Sequence, residues 1–181
     1  SVSIPASVVS IGDGAFAGCE LEKMVLPFIG ASADDETRGY IGYLFGAPSV
    51  VTSVQYVPTT LTTVELLSSC TRIWDSAFAG CQNVSEILVT DSVVYVGNEA
   101  LHQTKWFSSQ PDGVVYVGRV AYSFVSPKLT YEELVAAIKD QEGRELEEGE
   151  ERLTNVYEVI LREDTIMVAP YAFSGKEIVS I

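Results

Sequence analysis

Apolar positions recur along this chain inside one repeated phrase. Ile73 stands five positions before Phe78, as Ile11 stands before Phe16, Val96 before Leu101 and Val168 before Phe173, and an alanine precedes the large residue each time, at Ala15, Ala77, Ala100 and Ala172. A further copy, Ile41-Gly42-Tyr43-Leu44-Phe45-Gly46-Ala47, keeps the opening Ile-Gly and the Phe but is one residue shorter. After the large residue comes a second element, an apolar residue followed at three and five positions by two more: Leu21/Met24/Leu26, Leu61/Val64/Leu66 and Val84/Ile87/Val89. Ile178 and Ile181 begin another. The second element has the spacing of a short strand with alternate residues turned inward. Gly12-Asp13-Gly14-Ala15-Phe16-Ala17-Gly18 suits a tight helical turn ended by glycine.

From Phe78 to Leu101 the period is 23 residues, within the range of leucine-rich solenoids. A unit of that length has too little core to fold alone and must bury its apolar ladder against its neighbours. The pattern therefore predicts an α/β repeat: a leucine-rich-repeat solenoid with short parallel strands, short helical turns and inserted loops, spanning residues 1–181 as a single unit. If the strands pair in parallel, Met24, Leu26, Val64, Leu66, Ile87 and Val89 face the core. Lys23, Val25, Thr63, Glu65, Glu86 and Leu88 then form an outward row of mixed character, with Val25 and Leu88 apolar among charges, and this row is the candidate binding face.

Two stretches interrupt the repeat, at about 28–58 and 125–158. Phe28 to Gly39 reads as a loop returning at Tyr40, and a second insertion runs from Pro48 to Pro58; insertions in solenoids map to loops, often on the binding face. Asp34, Asp35 and Glu36 are adjacent in sequence, unlike the alternating ligands of a calcium loop, and read as a solvated tip. Val114 to Phe124 holds two β-prone runs around Gly118-Arg119, a hairpin pattern. Thr130-Tyr131-Glu132-Glu133 is a capping-box start, and Tyr131, Leu134, Val135 and Ile138 share one face of a helix expected from about Thr130 to Asp140. Gln141 to Arg152 is glutamate-rich and reads either as a solvated connection or as an acidic docking loop. Val156, Val159 and Leu161 are expected to return as a strand.

Ile4-Pro5, then Val8-Val9-Ser10-Ile11-Gly12-Asp13-Gly14-Ala15-Phe16-Ala17-Gly18-Cys19, and the matching Ala77-Phe78-Ala79-Gly80-Cys81, resemble the BspA-like leucine-rich repeats of bacterial surface proteins and some protozoan ones. The likeness covers most of residues 1–124 and 159–181. Leu101 replaces the Phe in one copy, and Ser174-Gly175-Lys176 replaces Gly-Cys in the last. The resemblance implies an extracellular or cell-surface module for adhesion or protein binding, to host or matrix proteins, with no catalytic residues to carry over. Two alternatives stay open: a structural spacer within a larger surface protein, and a carbohydrate-binding module acting through Trp74, Trp106 or the inserted loops. Aromatics at such corners also pack into or over a core.

Charge narrows the partner. Eleven Lys and Arg against 25 Asp and Glu give a formal charge of -14, which opposes nucleic acid and anionic membrane surfaces and suits a basic or neutral protein, although acidity also confers solubility. No run of apolar residues is long enough to span a membrane, and the opening Ser1-Val2-Ser3-Ile4-Pro5 lacks a signal-peptide pattern. Because Ile4-Pro5 corresponds to Leu26-Pro27, the chain is expected to start and stop partway through repeats, as a piece of a longer protein. Cys19 and Cys81 occupy one repeat position with the Phe45 copy between them, too far for a disulfide, and both are expected to be buried small hydrophobes. Cys70 has no assigned role. With His102 the sole histidine and no Cys-x-x-Cys, no metal site or cofactor is expected. Adjacent glutamates lack a pocket to split their pKa values, and no Gly-x-Ser-x-Gly or phosphate-binding glycine pattern occurs, so no enzymatic activity is expected.

Overall fold

A computed structural model describes residues 1–126, 157–176 and 178–180, with positions 132, 133, 135, 136 and 139. In chain order the elements are β1 (Val2–Ser3), β2 (Lys23–Leu26), the single-turn helix α1 (Ile41–Leu44), a 3-10 helix (Val50–Gln55), β3 (Thr63–Leu66), β4 (Arg72–Ile73), β5 (Glu86–Leu88), β6 (Tyr95–Val96), α2 (Lys105–Ser108), β7 (Gly113–Val117), β8 (Val120–Val125), β9 (Tyr157–Glu158), β10 (Met167–Val168) and β11 (Ile178–Ser180). The five helical positions between 132 and 139 fall inside the expected Thr130–Asp140 helix. Thr130 and Tyr131 of its capping box, Leu134 and Ile138 of its apolar face, and the glutamate-rich stretch lie outside the described residues.

Strands pair as the repeat requires. β1, β2, β3 and β5 form one parallel sheet in that order. Met24 lies opposite Val64 and Val64 opposite Ile87, so equivalent repeat positions stand in line although 40 residues separate the first pair and 23 the second. Both insertions of the second repeat are therefore accommodated outside the sheet. Met24, Leu26, Val64, Leu66 and Ile87 are buried, and Val89 is half-buried against the core. A second parallel pairing, β4 with β6, aligns Ile73 with Val96, both fully buried. The hairpin around Gly118-Arg119 forms as β7 and β8, with a register shift between Val115 and Tyr116, and β10 adds in parallel to β8. Of the expected returning strand, Val156 lies outside the described residues, Tyr157–Glu158 pairs with β11, and Val159 and Leu161 lie beyond it.

The turns that carry the large apolar residues are tied to one another in sequence order. The Phe16 amide donates to Leu44 O at 2.8 Å, the Ile41 amide to Ala77 O at 2.8 Å, and the Phe78 amide to Ala100 O at 2.9 Å. The Asp75 carboxylate adds a side-chain bond, accepting from the Asn98 amide at 2.8 Å. The residue two positions before the large one is left-handed in four copies: Gly14, Ser76, Glu99 and Tyr171, with φ of 61°, 53°, 51° and 59°. In the shortened copy that position is part of helix α1 instead.

Non-glycine residues rarely adopt this region, and Tyr171 does so while 74% exposed. Tyr171→Gly is therefore expected to stabilise the fold by about 0.5 kcal/mol, because relief of left-handed strain exceeds the entropy that glycine adds to the unfolded chain. Chemical denaturation of the two proteins checks the sign.

Candidate functional site

The parallel register brings the six predicted outward residues together. Lys23, Thr63 and Glu86 lie side by side across β2, β3 and β5, and Val25, Glu65 and Leu88 form the adjacent row. Alternation turns them away from the buried residues between them. The Lys23 ammonium meets the Glu65 carboxylate at 2.8 Å, and the Thr63 hydroxyl donates to Glu86 at 3.1 Å. The hydrogen bond to Glu65 raises the Lys23 pKa above its ordinary value. Leu88 is 43% exposed beside these polar pairs. The face is thus a flat, partly self-paired grid with one open apolar position.

The aromatic candidates are committed elsewhere. Trp74 packs at 5.6 Å from the Tyr95 ring, lies under the Arg72 guanidinium, and closes on Gly39, where a Cβ would overlap the indole. Trp106 is half-buried against the core, and its amide donates to Val84 O at 2.8 Å, which seats α2 beside the start of β5. Asp34 pairs with Arg72 at 2.9 Å, whereas Asp35 turns back to the Arg38 amide and guanidinium, which hold its carboxyl below the ordinary value. The three acids of that loop do not converge on one point.

Cys19 corrects an expectation: it is exposed, whereas Cys81 is buried. The insertion of residues 50–57 explains the difference. It leans on the Phe78 turn, where Val54 and Val57 line a small cavity together with Gly80 and Cys81, while around Gly18 in the first turn nothing lies within 4 Å of where a Cβ would stand. Burial pushes the Cys70 thiol up to about 11 and the Cys81 thiol higher still. A thiol held protonated is not a nucleophile.

His102 has a defined role at the joint between the Leu101 turn and β8. The Leu101 amide donates to the Tyr122 hydroxyl at 2.8 Å, and His102 Nδ1 lies 2.7 Å from the same oxygen. The Tyr122 oxygen thus ties both the Leu101 backbone and the His102 ring to β8, the direction of the His102 bond following the imidazole tautomer. Desolvation, partly offset by Glu99, lowers the His102 pKa below the ordinary 6.5. The unfolded chain therefore binds this proton more readily than the folded one. The contribution is complete above pH 6.5 and is lost as pH falls through 6.5 towards the lowered value. Tyr122→Phe leaves the Leu101 amide without its acceptor and is expected to cost about 2 kcal/mol. Denaturant melts at pH 7.5 check the cost.

The sequence-based reading placed an insertion from Pro48 to Pro58 but not the helical platform that it forms. Its signals were present as Pro48 and Pro58 at the borders and as the Ser49/Thr52 pair, which forms a reciprocal cap at the 3-10 helix. Ser53 is fully buried, yet Val51 and Val54 project outward at 88% and 48% exposure.

A family model described as a BspA type leucine rich repeat region matches residues 1–33 and 51–131 in six copies, more than half of the chain. No curated protein and no solved structure matches the chain.

Proposed function

Because the chain belongs to the family of BspA type leucine rich repeat regions, we propose that it is a non-enzymatic recognition module of a cell-surface or secreted protein, binding a protein partner through its strand face. On this reading residues 1–181 form one solenoid, with the stretches at about 28–58 and 125–158 as insertions. The observation that carries the proposal is the unbroken register across β2, β3 and β5, which lines up Lys23, Thr63 and Glu86 beside Val25, Glu65 and Leu88. A ladder of buried Met24, Val64 and Ile87 beneath holds that grid rigid, so little side-chain and backbone order is lost on binding. The chain's net charge of -14 supports a basic or neutral protein partner.

The test is capture of matrix and cell-surface proteins by the folded chain, beside a variant carrying Lys23→Ala, Glu65→Ala and Glu86→Ala. These positions are solvent-facing, so the fold is retained. Capture is expected to fall at least about tenfold, because three charged side chains, each contributing roughly 1 kcal/mol where it meets the partner, are removed. Unchanged capture would take the site off the strand face, and absence of capture by either protein would leave the module a spacer.

A further inference from the structure

The insertion of residues 49–57 does nothing for the strand ladder, yet it is seated with unusual tightness. Ser53 packs so closely on Gly42 that any Cβ there would overlap its hydroxyl, and a Cβ on Gly80 would stand 2.5 Å from Val54 N and 2.6 Å from the Ser53 carbonyl carbon. The segment caps itself as well: Thr52 Oγ1 donates to Ser49 O at 2.9 Å, and the Val57 amide donates to Ser53 O at 2.9 Å. A segment fixed this firmly presents its outward side chains in one place.

Those side chains are apolar and border a cleft. Val50, Val51 and Val54 of the insertion line a space of about 430 Å³ together with Ser76, Gln82, Glu99 and Gln103 from two successive turns. The volume falls in the range of small-ligand sites, and the cleft is open to solvent, with Val51 at 88% exposure. Gln103 is held in position by accepting the Gly80 amide at 2.9 Å. Glu99 is the one carboxylate among the described lining residues. Three valines in one cleft with a single carboxylate and amide oxygens match a group with an aliphatic stem and a cationic head.

We propose that this cleft receives a lysine side chain of a protein partner, its methylenes against Val51 and Val54 and its ammonium at Glu99, with the Gln82 side-chain oxygen as a further acceptor. The site lies off the strand face and stands or falls independently of it. Charge complementarity supports the choice, since a chain of net charge -14 draws in cationic segments and the cleft adds an apolar contact that a bare acidic surface lacks.

The experiment is an NMR titration of the full chain with acetyl-Gly-Lys-Gly-amide, and in parallel with the same peptide carrying norleucine for lysine. Saturable shifts are expected at the amides of Val51, Val54, Gly80, Gln82 and Glu99, with the norleucine peptide binding at least about tenfold more weakly because it lacks the charge-assisted bond. Glu99→Gln and, separately, Val51→Ser each weaken the lysine peptide severalfold; both positions are exposed, and the spectra themselves report whether each variant is folded. Shifts scattered over the acidic surface, equal binding of the two peptides, or affinity unchanged in Glu99→Gln would overturn the proposal. Shifts confined to Thr63, Glu65, Glu86 and Leu88 would also overturn it while leaving the strand-face reading intact.

Discussion

Gly80→Ala is expected to destabilise the fold by roughly 3 kcal/mol, against about 1 kcal/mol for Gly18→Ala, although the two glycines occupy the same repeat position. Both are left-handed, with φ of 82° and 74°. Each alanine therefore bears the same backbone penalty, on the order of 1 kcal/mol. The difference comes from what a new methyl group meets. At Gly18 nothing lies within 4 Å, whereas at Gly80 the backbone of Ser53 and Val54 stands inside 3 Å and must be pushed away. Backbone cannot swing aside as the end of a flexible side chain does, so the insertion has to lift, and the burial of its own Ser53 and of Cys81 beside it is lost. Thermal melts are the check. About 1 kcal/mol moves the midpoint of a domain this size by roughly 2–4 °C, which puts Gly80→Ala roughly 6–12 °C below the parent. Equal shifts for the two variants would mean that the insertion does not rest on the Phe78 turn.

That pair of glycines also shows what was legible in the sequence and what was not. Spacing alone placed Met24, Val64 and Ile87 in one inward line and Lys23, Thr63 and Glu86 in the line beside it, because a strand has a period of two and the repeat fixes the register. It identified the hairpin at Gly118-Arg119 by its β-prone runs. It did not reveal that Cys19 is exposed and Cys81 buried, since the two share a motif and differ in what an insertion far off in sequence places beside them. Nor did it show the platform of residues 49–57, whose seating depends on the absence of side chains at Gly42 and Gly80. Repeat spacing reports contacts between equivalent positions. An insertion makes contacts of its own, and no periodicity encodes them.

The left-handed position was half legible. Gly14 announced it in the first copy, but Ser76, Glu99 and Tyr171 fill the same place with residues that dislike it. Inter-copy bonds hold two of them there: the Ser76 amide donates to Asn98 O at 3.0 Å, and in the next copy Asp75 grips the chain one residue before Glu99, at Asn98. Stacking thus overrides a local preference worth about 1 kcal/mol, as tertiary context commonly does. For the candidate sites this has a consequence: Glu99, the carboxylate of the cleft, is positioned by contacts between turns and not by its own conformational preference.

Phe78→Ala is expected to cost about 4 kcal/mol, the largest loss from any single truncation of the repeated large residue, with Phe16→Ala and Phe173→Ala costing about half as much. The four phenylalanines of the repeat are equivalent in sequence but not in burial. Phe78 is fully buried and Phe45 nearly so, while Phe16 and Phe173 are only half-buried against the core. Phe78 sits in the turn bonded to the Leu101 turn at Ala100 and, through Ala77, to Ile41, so turns on both sides enclose it. Removing its ring opens a cavity that neither neighbour can fill without breaking those bonds, and cavity loss adds to the lost transfer energy. Phe78→Leu is expected to cost only about 1 kcal/mol, since the same position accepts Leu101, fully buried, in the next copy. Denaturant unfolding of the four variants gives the ranking Phe78→Ala well above Phe16→Ala and Phe173→Ala, with Phe78→Leu lowest. Equal costs at Phe16 and Phe78 would mean that the copies do not support one another, and the rigid strand face that depends on that mutual support would lose its physical basis.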